Sequence, residues 1–176
     1  AGAGVARALA EQLDPAKVVA LCGPGNNGGD ALVAAGLLKT AGYDVRVVLW
    51  GRKVTSALPE VDTQLGDAAV LSIEGEGALG RVEAWLAEAS AVIDGLLGTG
   101  LKRALEPPLS DLLDLVAGAT ALGDGPLVVA VDVPTGLDAD SGRLDPHALA
   151  ADITVTFGYP KHGQMRFPGA SAVGEL

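Results

Sequence analysis

Three short clusters in this chain combine glycines with side chains able to hold a ligand or move a proton. GPGNNGGD spans Gly23 to Asp30, DGLLGTGLKR begins at Asp94 and ends at Arg103, and VDVPTG runs from Val131 to Gly136. Gly23, Gly25 and Gly28 satisfy G-x-G-x-x-G, and residues without a Cβ let a backbone turn tightly and approach a phosphate at a helix N-terminus. Asn26, Asn27 and Asp30 add two amides and a carboxylate, more polar chemistry than a pyrophosphate cradle needs. A purely structural account also exists, with left-handed asparagines in a turn and Asp30 in the first helical turn, where negative charge is favourable. The second cluster offers backbone N–H groups, with Lys102 and Arg103 close behind, suited to a pyrophosphate or to a solvated basic turn. Asp132 ends the apolar run LVVAVD, before Pro134 and Gly136. A carboxyl on a rigid strand tip can act as acid and base in turn, or simply hydrogen-bond the next loop.

Apolar runs alternating with helical patterns must carry these clusters, and that alternation is the α/β signature. Lys17 to Cys22 reads as a buried strand, and Gly28 to Ala41 as a helix with Leu32, Val33, Leu37 and Leu38 on its apolar stripe. Val45 to Trp50, Val70 to Ile73, Ala91 to Leu97, Leu127 to Val133 and Ile153 to Phe157 read as further strands. Helices are expected over Ala1 to Leu13, around Leu58 to Ala68, over Leu79 to Ala89 and over Pro107 to Ala117. Each polar cluster follows a strand, on the side of a parallel sheet where ligands bind.

The chain has 176 residues, enough for one domain with a real core, and 49% of them are apolar, which fits a buried sheet. Only 3% are aromatic, fewer than a protein that stacks single-stranded bases would want. The net charge of −10 repels phosphate backbones and anionic lipid, so neither nucleic acid nor a membrane is an expected partner. The single cysteine, Cys22, ends an apolar run and reads as a buried, inert thiol in a reducing, cytoplasmic setting. His147 and His162 are isolated, and no His/Cys cluster suits zinc.

The segments GPGNNGGDALVAA, DGLLGTGLKR, VDVPTGLDADSG and ADITVTFGYPKHG, in this order, together resemble the NAD(P)H-hydrate epimerase family, the N-terminal domain of the two-part nicotinamide-repair enzymes. The resemblance covers nearly the whole chain. It implies a three-layer α/β/α Rossmann-like fold with a mostly parallel sheet, residues 1–176 as one epimerase domain, and origin in a longer chain. It also implies hydrated NADH or NADPH as substrate and a potassium ion in the site. By the family's motifs, Asn26, Asn27, Gly28, Gly29 and Asp30 would line the nucleotide pocket. Gly98, Thr99, Gly100, Leu101, Lys102, Arg103 and Ala104 would form the substrate loop, and Asp132 would touch substrate as the catalytic acid–base. Asn27, Asp94 and Thr135 would bind potassium, a hard cation that prefers such oxygen ligands. The implied partners are a homodimeric copy and an ADP- or ATP-dependent dehydratase, fused or separate. Lys161, beside Pro160, could reach the pocket rim and is given no catalytic role.

Some residues depart from the family's pattern. Ala31 stands where another glycine is common, Gly36 replaces a basic or bulky residue, and the helical segment before the first strand is short. Two rival readings remain. One is a catalytically silent nucleotide-binding or protein-interaction module of the same fold. The other is an NADP-dependent oxidoreductase using GPGNNG as an ordinary fingerprint. The second lacks the expected ribose acid after Val45 to Trp50, where Arg52 and Lys53 stand, suited to a 2′-phosphate or to open solvent.

Overall fold

The computed structural model describes residues 1–52, 64–100, 103–121 and 123–176. The chain runs through α1 (Gly2–Ala10), β1 (Lys17–Cys22), α2 (Asn26–Thr40), β2 (Asp44–Leu49), β3 (Ala69–Ser72), α3 (Ala78–Leu86), β4 (Ala91–Gly95), α4 (Leu109–Thr120), β5 (Leu127–Val131) and β6 (Ile153–Val155). Two short 3-10 turns follow, at His162–Met165 and Gly169–Ala172. The helix expected around Leu58 to Ala68 falls largely outside the described residues, as does Lys53.

The six strands form one sheet in the order β3-β2-β1-β4-β5-β6, and every neighbouring pair is parallel. A sheet covered by helices on both faces needs strands that are apolar on both faces, which is why KVVALC and LVVAV show no polar alternation. Val18, Ala20 and Cys22 pack with Val5, Leu9, Leu32 and Leu38 of α1 and α2. Val19 and Leu21 point the other way, toward Val82 and Leu86 of α3 and Leu112, Leu113 and Val116 of α4. This is the expected three-layer α/β/α architecture, with a sheet parallel throughout. Among the described residues no helix is long and apolar enough to cross a membrane.

The chain leaves β1 toward β2 and β3 and then returns to the other side of β1 as β4. That reversal makes a crevice at the strand C-termini between β1 and β4, the usual ligand position in an open α/β sheet. Register places Asp94 beside Leu21 on one side and Ala130 on the other, so β1, β4 and β5 end nearly level.

Element ends differ from the sequence reading where local geometry intervenes. Helix α2 starts at Asn26 instead of Gly28. A Cβ on Gly28 would lie 1.9 Å from the Gly23 carbonyl oxygen, so only glycine lets the first helical turn rest on the loop before it. Asp30 therefore falls in the second turn, and no acidic residue occupies the first. Strand β5 stops at Val131 instead of Val133, because Asp132 turns into the left-handed region at φ 66°.

Cys22 is fully buried in the first core cluster, and burial pushes its thiol up to about 12, against a smaller opposing effect of the Arg52 charge. Nearer the surface, His147 Nδ1 lies 2.7 Å from Asp114 of α4. That hydrogen bond, with the nearby negative charges, raises the His147 pKa above 6.5.

Candidate active site

Asp94, near the end of β4, is fully buried yet carries a carboxylate, and its surroundings show how the fold tolerates it. Its Oδ2 accepts the Thr135 N–H at 2.7 Å. Its Oδ1 accepts the Thr135 hydroxyl at 2.6 Å and the Leu96 N–H at 3.3 Å. These are neutral donors. Among the described residues no Lys or Arg forms an ion pair with Asp94. Burial pushes its carboxyl above the usual carboxylate range, and the hydrogen bonds from Thr135 and Leu96 oppose that shift without cancelling it.

Thr135 also accepts the Leu97 N–H at 3.1 Å, so one buried hydroxyl joins the β4 tip to the loop after β5. Asn27, in the first turn of α2, reaches across the sheet ends, donating from Nδ2 to the Leu97 carbonyl at 3.2 Å and to the Val131 carbonyl at 2.6 Å. Gly98 leaves it room: a Cβ there would sit 2.8 Å from Asn27 Oδ1. Asp94 and Thr135 are thus in direct contact, and Asn27 is linked to them through Leu97, whose carbonyl it holds and whose N–H bonds Thr135.

Asp132 follows Val131 directly and belongs to a second, more open group. Its Oδ1 contacts Lys161 Nζ and accepts the Phe157 N–H at 3.0 Å. Lys161 Nζ also donates to the Phe157 carbonyl at 3.0 Å and the Thr156 hydroxyl at 3.1 Å. The side chains of Lys161 and Asp132 retain 20% and 13% of their exposure, so the pair stays within reach of a ligand. Sequence reasoning set Lys161 aside. The usable signal was the position of PKHG just beyond β6: β6 pairs with β5, so its tip lies beside that of Asp132.

The remaining expected residues lie around these two groups. Asn26 is exposed at the start of α2, Gly28 is buried, and Gly29 and Asp30 are half-buried. Thr99, Gly100, Arg103 and Ala104 are exposed, and Leu101 and Lys102 lie outside the described residues. A cavity of about 270 Å³ opens beside Leu97, bounded by Trp50, Gly100, Arg103, Ala104 and Leu105. The loop expected to hold substrate thus borders an open cleft.

Arg52 is turned inward. Its guanidinium donates to the carbonyls of Gly23 at 2.8 Å, Pro24 at 3.3 Å and Gly25 at 2.8 Å, bracing the glycine-rich loop from its outer side. The guanidinium is thus tied to the loop and does not stand free in solvent. Ala31 is accommodated with its methyl against Gly95 of β4.

Residues 1–163 match the family described as YjeF-related protein N-terminus. A bifunctional NAD(P)H-hydrate repair enzyme Nnr from Thermofilum pendens is 40% identical over 181 residues, covering all of this chain and 33% of that protein. An NAD(P)H-hydrate epimerase from Clavibacter sepedonicus is 39% identical over 184 residues, covering all of this chain and 77% of that one. The crystal structure of the yeast protein ynu0 superposes with a TM-score of 0.79 at 26% identity, over 97% of this chain and 73% of that one. The chain spans about a third of the length of the bifunctional relatives it matches.

Proposed function

The chain belongs to the family of YjeF-related protein N-termini, and from that premise we propose that residues 1–176 act as one domain that interconverts the two epimers of hydrated NADH or NADPH. The observation that carries the proposal is the meeting, at neighbouring strand tips, of an oxygen-rich buried group (Asn27, Asp94, Thr135) with a carboxylate–ammonium pair (Asp132, Lys161).

The substrate bears a hydroxyl on the ring carbon beside the ring nitrogen. Inversion at that carbon requires the C–O bond or the ring C–N bond to break and re-form on the opposite face, and by the first route the hydroxyl leaves and returns. The departing hydroxyl needs a proton to leave as water, and the ring nitrogen lone pair stabilises the cation left behind. Water then adds to the other face and gives up a proton, so the enzyme ends as it began. Asp132 and Lys161 form one proton-exchanging unit for both halves of this cycle. The left-handed turn at Asp132 directs its carboxylate away from the sheet interior and toward the β6 loop. The glycine-rich loop, braced by Arg52, and the loop from Gly98 to Ala104 hold the nucleotide, with Asn26, Asn27, Gly28, Gly29 and Asp30 along one wall.

The donor set suits a potassium ion. Asp94 and Thr135 supply oxygens, Asn27 would add its amide oxygen, its Nδ2 holds the carbonyls of Leu97 and Val131, and the buried Asp94 charge lacks a cationic partner among the described residues. A bound potassium ion would neutralise that charge and supply positive potential beside the substrate. A homodimer, and an ADP- or ATP-dependent dehydratase on the same or another chain, complete the reading. The "bifunctional" label of several relatives supports the second partner. The buried single thiol supports a reducing, cytoplasmic setting.

The test begins with one isolated epimer of hydrated NADPH, followed by chromatography or NMR. Formation of the other epimer well above the spontaneous rate is expected. Binding without any gain over background would leave a silent module in its place.

A further inference from the structure

Gln164 is almost fully buried at 1% exposure, and both ends of its side-chain amide are engaged. Nε2 donates to the Asp132 backbone carbonyl at 2.8 Å. Oε1 accepts the Lys161 backbone N–H at 2.7 Å and the Thr156 hydroxyl at 3.3 Å. The same hydroxyl lies 3.5 Å from Asp132 Oδ1, so its single proton is shared between two acceptors. One neutral side chain therefore grips the main chain of both Asp132 and Lys161, residues 29 positions apart.

Asp132 needs such a grip. Among the described residues it is the one non-glycine with positive φ, and a side chain in that region costs on the order of 1 kcal/mol or more unless its surroundings hold it there. Its N–H is tied to the Val155 carbonyl at 2.9 Å, and Gln164 ties its carbonyl. Together these bonds fix both peptide groups flanking the Asp132 Cα. Among the described residues the Gln164 side chain hydrogen-bonds only to backbone and to Thr156, not to the Asp132 carboxylate or the Lys161 ammonium.

We infer that Gln164 is a positioning residue that locks the left-handed turn of Asp132 and the loop carrying Lys161, so that carboxylate and ammonium meet the substrate in one fixed arrangement. The inference rests on the acid–base reading of Asp132 given above. An apolar side chain of equal length would fill the space while leaving the Asp132 carbonyl and the Lys161 N–H without partners.

The test compares the whole chain with its Gln164→Met, Gln164→Glu and Asp132→Asn variants by two readouts. The first is steady-state epimerisation. Gln164→Met should lower kcat by about ten- to a hundredfold while KM stays within about twofold. Gln164→Glu, which keeps the acceptor for the Lys161 N–H, should fall between it and the parent. The second is amide hydrogen exchange at Phe157, whose N–H donates to the Asp132 carboxylate. It should quicken by about tenfold when Gln164 is lost and the carboxylate is no longer held. Unchanged exchange at Phe157 overturns the inference whatever happens to kcat, because any rate loss then does not pass through Asp132. Unchanged kcat in a variant with faster exchange overturns it equally. If Gln164→Met fails to fold, the same two readouts on Gln164→Glu decide. An inactive parent, or a fully active Asp132→Asn, would instead sink the proposed function, and the Phe157 amide would still report whether Gln164 holds Asp132.

Discussion

Asp94 and Asp132 lie on adjacent strand tips, and the fold treats their carboxylates in opposite ways. Asp94 is sealed from solvent and, among the described residues, held by neutral donors alone, with its carboxyl pushed above its ordinary range. Asp132 is partly open and balanced by an ammonium from another loop. The first arrangement is closed and, among the described residues, short of positive charge, the property on which the proposed cation site rests. The second is solvent-accessible and already charge-paired, as suits a group that gives and takes protons. The two are joined at Val131, whose carbonyl accepts from Asn27 one residue before Asp132 begins. Two carboxylates so close can do different work because their partners differ.

The contrast can be broken by exchanging what each group lacks. The largest effect is expected at Asp132: Asp132→Asn should preserve ligand binding and slow epimerisation by about a hundredfold or more, read by turnover and by titration with the substrate. Equal rates would move the proton chemistry elsewhere. At Asp94 the readout is thermodynamic. Potassium at about a hundred times its Kd should stabilise the parent by about 2.7 kcal/mol, seen as a rise in Tm in potassium chloride over a salt of a bulky organic cation. Asp94→Ala should lose that increment, and a variant as salt-responsive as the parent would remove Asp94 from the ion site. Thr135→Val should cost about 1–2 kcal/mol by urea unfolding, since its hydroxyl both donates to Asp94 and accepts from Leu97.

The smallest expected effect lies outside both groups and sharpens the contrast as a control. The pKa of His147 is raised chiefly by its hydrogen bond to Asp114. A raised folded-state value means that this pair stabilises the chain fully below the ordinary histidine pKa and ceases to do so as pH rises through the folded-state value. The Tm gap between the parent and His147→Ala should therefore be wider near about pH 5 than near about pH 9, with epimerisation unaltered.

Much of this arrangement was legible in the residues. Uninterrupted apolar runs named the strands, and the glycine-rich segments after them named the ligand side. The grouping of Asn27, Asp94 and Thr135 comes from the resemblance to the family's motifs, since spacing alone does not pair Asp94 with a residue 41 positions away. What stayed hidden depended on close packing or on long-range neighbours. The start of α2 at Asn26 follows from contact between Gly23 and Gly28, which no periodicity expresses. The inward turn of Arg52 depends on three loop carbonyls that only the folded loop aligns. Lys161 and Gln164 reach Asp132 because β6 lies beside β5, a fact of strand order. Read with that order in hand, the residues beyond β6 would have been natural candidates.

The lone thiol of Cys22 ends β1, fully buried on the face of the sheet covered by α1 and α2, and far above its ordinary ionisation range. It can meet a water-borne alkylating reagent only when this end of β1 is uncovered. Its labelling rate is therefore a clock for the opening that uncovers it, with no probe to be engineered and no second sulfhydryl in the sequence to confuse the count. Every ligand that binds the closed form should slow that clock by the factor of its own binding, so affinity could be measured without following the reaction at all.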